Sequence, residues 1–209
     1  MFRKSSNNPW VSPSGFLNTG SFAQIGGTEP VGTRFQGMLG QTIVCSNADA
    51  LKLSNTSVGT LYNGVYQLVK FTSAIVRGQL VFWDTLANNG LNDYGVTSTV
   101  TAATAFRAGV ALFTDANASG KYGWIQVAGL ANCLYGNSTV GTIGLAVIQA
   151  TALDVPLLTV ATVNTSADAT AQLTEDLRAY IGVAYETPAQ NAVRRVLLST
   201  GAFFPNIVS

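Results

Sequence analysis

The chain has 209 residues and is 47% hydrophobic, enough to bury a sizeable core, yet only 10% of its residues are charged, against about 25% in a typical globular protein. Its 11 basic and 10 acidic residues are scattered and sum to +1, so no basic block tracks a phosphate backbone and direct nucleic-acid binding is disfavoured. There is no histidine, which removes the commonest general base and metal ligand and rules out a Ser-His-Asp or Cys-His site within the chain.

Residues 1–35 are rich in Ser, Asn, Gly and Pro ("SSNNPW", "SPSG", "IGGTEPVG"), a texture that resists helix and long strand. Trp10, Phe16, Phe22 and Phe35 punctuate this stretch. Large aromatics bury the most area per residue, so the expectation is an extended N-terminal arm whose four aromatics anchor on a partner. The alternative is an arm folded onto its own domain. The leading residues lack the apolar core of a secretory signal, and no apolar run is long enough to span a membrane as a helix. A soluble protein made in a cytoplasm is expected.

From residue 36 the texture becomes that of a β domain reaching to 209. Strands are expected at "MLGQTIVC", "NGVYQLVKF" and, after a turn at Gly78, "LVFW". "DTLANNGLNDYG" reads as a loop. "VTSTVTAATAF" alternates and is β-branched, as a half-buried strand would be. Further strands are expected at 108–113, 124–128, "IGLAVIQA", "VPLLTVATV" and 193–199. "SADATAQLTEDLRAYIG" is the one plausible helical piece. Many short strands between turns of Gly, Asn, Asp and Ser indicate a mainly β fold, a compact β-sandwich or β-barrel.

Few residues invite chemistry. In "DANASG", Asp115, Asn117, Ser119 and Gly120 match the first positions of a calcium loop, but Gln126 stands where a bidentate Glu is required; a polar hairpin loop is expected and no metal site. Glu175 and Asp176 are adjacent and read as a cap region, and Asp84, Asp93 and Asp154 read as loop residues bonded to backbone. Cys45 and Cys133 are expected to be two buried small hydrophobes, a single disulfide being the other option. Asn55, Asn137 and Asn164 open glycosylation-type triplets that, without an export signal, reflect composition. Trp83 and Trp124 end apolar strands, where core packing is commoner than a sugar-binding platform. No enzyme and no cofactor is expected.

Two stretches share a plan. Residues 106–130 and 177–203 both carry Arg-Ala and then Gly-Val-Ala, at 109–111 and 182–184, and both close on a glycine, Gly129 and Gly201. They are expected to be related hairpin units, with Gly78, Gly109, Gly129, Gly182 and Gly201 permitting tight turns or close backbone approach. "VRGQLVFWD", "AFRAGVALFTDANASGKYGWIQVAGLANC", "VGTIGLAVIQ" and "LRAYIGVAYETPA…RRVLLST" together resemble tailed-phage capsid decoration proteins, also called cement or head-stabilising proteins, over residues 65–200. The second unit departs from that pattern at Tyr180-Ile181 and at Arg194-Arg195, which stand where Gly-Trp is expected, and reads as a divergent copy with a different contact role.

The resemblance implies a structural virion protein on the outer surface of a phage capsid, stabilising the head by bridging capsomers, with the major capsid protein as partner. It also implies a homo-oligomer, a trimer best matching local three-fold positions. A phage tail, fibre or baseplate component and a carbohydrate-binding β module are the alternatives.

Overall fold

The computed structural model describes residues 39–54, 59–84, 94–99, 106–136, 141–149, 158–160 and 180–199. The leading arm with Trp10, Phe16, Phe22 and Phe35, and also Asp93, Asp154, Glu175, Asp176 and Gly201, lie outside the described residues. The fold is mainly β. Its elements run β1 (Thr42–Cys45), α1 (Asn47–Leu53), β2 (Gly64–Phe71), β3 (Leu80–Trp83), β4 (Gly95–Thr97), β5 (Arg107–Ala111), β6 (Tyr122–Leu134), β7 (Ala146–Gln149), β8 (Leu158–Val160), β9 (Tyr180–Ala184) and β10 (Val193–Leu198).

The ten described strands form one sheet, ordered β1-β2-β4-β3-β5-β6-β10-β9-β7-β8, and β2 also pairs with β6. That extra pairing closes β2, β4, β3, β5 and β6 into a five-strand barrel. Closure removes the free edges that these strands would otherwise expose. Among the described strands, the one parallel joint is β2 with β4. Lys70 N donates to Tyr94 O at 3.0 Å and Thr72 N to Val96 O at 2.8 Å. The Thr72 hydroxyl also reaches Asp84 Oδ2 at 2.5 Å, tying the ends of β2 and β3 together beside β4.

Alternation along β3 divides the core in two. Val81 and Trp83 join Trp124, Tyr66, Tyr122 and Phe71 in the barrel core. Leu80 and Phe82 point the other way and pack with Val110, Ala131, Cys133, Val147, Ile181, Val196 and Leu198. Side chains alternate across a strand, so this second core lies outside the barrel wall, between β3–β5 and the sheet made by the later part of β6 with β10, β9 and β7. The Arg107 guanidinium, in a residue only 6% exposed, crosses that layer and donates from Nη1 to Tyr180 O at 3.1 Å. Desolvation lowers its pKa from the usual arginine value.

Strand β6 belongs to both layers. Its residues Tyr122–Gly129 pair with β2, and Gly129–Leu134 pair with β10. The change of partner comes at Gly129, which has φ +90° and would place a Cβ 2.3 Å from Asn63 O. Only glycine fits that left-handed close approach without strain.

Three local expectations change. Helix α1 was not foreseen; Ser46 caps it by accepting from Asp49 N at 3.2 Å, a common way to satisfy a first-turn N–H. The last three residues of the expected helical piece, Tyr180–Gly182, are strand, where β9 is stitched between β7 and β10; the rest of that piece, 166–179, lies outside the described residues. Of the expected strand "VTSTVTAATAF", Val96 and Thr97 are strand and Ser98 is a bend, while residues 100–105 lie outside the described residues.

Candidate interaction surface

The two Gly-Val-Ala stretches contain antiparallel strand pairs, β5 with β6 and β9 with β10. Their returning strands also pair with each other, Val193 against Leu134 through Leu198 against Gly129. The resulting order, β5-β6-β10-β9, is a back-to-back pair of hairpins. Gly109 and Gly182 lie within strands rather than in turns. A Cβ on Gly182 would stand 2.1 Å from Leu197 O, and one on Gly109 2.8 Å from Gln126 O. Both glycines therefore serve close backbone approach. Gly78 is in a turn at φ +83°, where its N–H bonds to Ala111 O and its carbonyl accepts from Leu134 N, both at 2.8 Å.

The inward side of the outer sheet is consumed by the second core. Its outward side is a layered surface. One row crosses four strands as Leu130, Leu197, Val183 and Ala146; Leu197 is 50% exposed. Two residues along, Asn132 stands opposite Arg195, and Tyr185 N donates to Arg195 O at 3.0 Å. A third row pairs Leu134 with Val193. The surface is thus banded: apolar, then polar and aromatic, then apolar.

The polar band is organised about Arg195. Its Nε donates to Glu186 Oε1 at 2.6 Å and its backbone N–H to Glu186 Oε2 at 2.8 Å. The guanidinium carbon lies 5.4 Å from the Tyr62 ring centroid and 5.2 Å from that of Tyr185, over both rings. Such contacts favour a cation electrostatically. Desolvation pushes the Glu186 carboxyl upward, but the bonds from the Arg195 backbone and guanidinium outweigh it and hold the carboxyl below its usual range. The Glu186 carboxylate in turn raises Arg195. Both terminal guanidinium nitrogens lack a partner among the described residues, and the Arg195 side chain is 31% exposed. The loop before β2 supports this end: Asn132 Nδ2 donates to Thr60 O at 2.7 Å, and Tyr66 Oη to Tyr62 O at 2.7 Å.

The other described residues that the sequence singled out are held in cores or turns. Trp83 and Trp124 are each 1% exposed and form no sugar platform. Cys45 and Cys133 are free and buried, one in each core. Burial, with Asp49 nearby, pushes the Cys45 thiol to about 12, and burial raises Cys133 as well. In the "DANASG" loop, Asp115 Oδ1 accepts from Asn117 N at 2.7 Å and Oδ2 from Lys121 Nζ at 3.1 Å, so the aspartate organises a turn. Asp84 is similarly held by Thr72. Sequence reading missed the Arg195 cluster because Tyr62, Tyr185 and Glu186 meet Arg195 only through the fold; the displaced Gly-Trp at Arg194-Arg195 was its one signal.

No protein-family model matches the chain, and no curated protein matches it. Among solved structures it is similar to the N base of the head fibre gp8.5 of bacteriophage phi29, at a TM-score of 0.42 and 10% sequence identity, covering 65% of this chain and 93% of that one.

Proposed function

We propose that this chain is a structural protein of a tailed-phage particle that binds the outer surface of the capsid and stabilises the head by bridging capsomers. The observation that carries the reading is a two-layer β body presenting a banded, charge-balanced apolar face, in a chain with only 10% charged residues. A surface of that kind favours contact with other protein. The Gly-Val-Ala hairpins add the resemblance to capsid decoration proteins.

In this reading the β body is a stiff platform and residues 1–35 are the tether. Trp10, Phe16, Phe22 and Phe35 seat on the major capsid protein, and each contributes through buried aromatic area. A specific contact buries about 1,200–2,000 Å² in total. Many copies on one lattice then gain avidity without a single tight site.

The test is deletion of residues 1–35. The truncated chain is expected to fold, judged by circular dichroism, and to lose co-sedimentation with tailed-phage heads assembled without it. Retention of full binding overturns the tether. Electron microscopy of the particle locates the intact chain, and density on the tail rather than the head overturns the capsid assignment.

A further inference from the structure

We infer that the outward face of the outer sheet, built by β6, β10 and β9, is a self-association surface whose occupant is the same face of a second copy. The inference goes beyond the capsid reading and stands without it. Three observations carry it. The face is apolar at both ends, with Leu130, Leu197 and Val183 in one row and Leu134 and Val193 in another. Leu197, in the middle of the first row, is half exposed. Between the rows lies the Arg195–Glu186 ion pair, bonded at 2.6 Å, with the charge of Arg194 also acting on the Glu186 carboxylate.

The charge pattern selects the partner. A partner rich in one sign meets both an attractive and a repulsive group here, whereas a copy of the same patch is its own complement. Isologous contact, the commonest arrangement in soluble oligomers, sets identical patches against each other. One copy's Arg195 still has two terminal nitrogens to offer, and the other copy's Glu186 carries the carboxylate they fit. A guanidinium recognises a carboxylate through paired N–H groups. The rings of Tyr62 and Tyr185 hold the guanidinium in place before contact, which lowers the entropy cost of association.

The area sets the strength. Three strands about 4.8 Å apart and about 20 Å long give roughly 300 Å² per copy, or about 600 Å² in total before the tyrosine side chains are added. Specific interfaces below about 1,200 Å² are weak or transient, so association is expected to depend steeply on concentration.

The experiment is sedimentation velocity on the full chain across a concentration series. The wild type is expected to shift to faster sedimentation as concentration rises. Leu197→Glu is expected to sediment as a monomer throughout while keeping its circular dichroism spectrum. Arg195→Glu and Glu186→Arg carry like charges on the face and are each expected to stay monomeric alone. Mixed in equal amounts, the two are expected to regain association, because each supplies the charge the other lacks; an ion pair used only within one chain gives no such rescue. A wild type that stays monomeric, a Leu197→Glu variant that associates normally, or a mixture without recovery overturns the inference. None of these readouts involves a capsid, so failure here leaves the tether experiment unaffected.

Discussion

The two cores make a prediction that separates neighbours in sequence. Phe82 and Val81 are adjacent on β3 and both are fully buried, but Phe82 faces the layer between barrel and outer sheet while Val81 faces the barrel interior. Truncating a buried Phe to Ala costs about 3–5 kcal/mol through lost transfer energy and the cavity left behind. For a chain of this size that lowers the melting temperature by about 2–4 °C per kcal/mol, so roughly 6–20 °C. Val81→Ala removes two methyl groups and is expected to cost about 2–3 kcal/mol. The informative readout is native-state hydrogen exchange. In Phe82→Ala the amides of β9 and β10 are expected to lose protection first, because Phe82 shares its core with Ile181, Val196 and Leu198. Amides joining β2 to the first part of β6 are expected to stay protected. Val81→Ala is expected to loosen the barrel amides instead. The same exchange pattern from both variants refutes the division into two packing layers.

Two further predictions concern single positions. Gly129→Ala adds a Cβ 2.3 Å from Asn63 O at φ +90°, whereas Gly144→Ala has a similar φ of +88° and nothing within 4 Å; chemical denaturation is expected to show a cost of about 1 kcal/mol for Gly144→Ala, the dihedral penalty, and clearly more for Gly129→Ala. Equal losses would mean that the backbone at the change of partner yields freely. Glu186→Gln tests the Arg195 clamp: the lowered carboxyl pKa means the folded state binds fewer protons than the unfolded one, so the stability it adds is complete above the unfolded value near 4.5 and is lost as pH falls through the lowered one. Melting curves of wild type and variant are therefore expected to differ at pH 7 and to converge as pH falls below the unfolded value and through the lowered one, and a pH-independent gap argues against the ion pair as the cause.

Much of the strand plan was legible from composition and spacing. Apolar runs bounded by Gly, Asn and Asp marked β2, β3, β5, β7 and β10 because those residues punctuate backbone wherever they stand. The burial of Trp83, Trp124 and both cysteines followed from where they fall in apolar runs. Barrel closure was not legible. It depends on the pairing of Lys70 and Phe71 with Gly95 and Val96, a parallel joint that leaves no periodic mark. Helix α1 was also hidden: seven residues are too few for a hydrophobic period, and only Ser46 three places before Asp49 signals its start. Tyr180–Gly182, the end of an expected helical piece, is strand because partners on both sides override weak local preference. The outward face escaped for a related reason. Leu130, Val183 and Leu197 each look like ordinary strand residues, and only the cross-strand register shows that they form one row.

Strand β6 is 13 residues long and, among the described strands, is the backbone common to barrel and outer sheet. Bonds between antiparallel strands run across the strand direction. A pull along β6 therefore loads its bridges to β2 and β10 together, in shear, and does not peel them one at a time. Tension entering at the outer sheet travels through this spar into a closed ring with no loose border at which to tear. The polypeptide is wired to carry load from one layer to the other, whatever it is fastened to at either end.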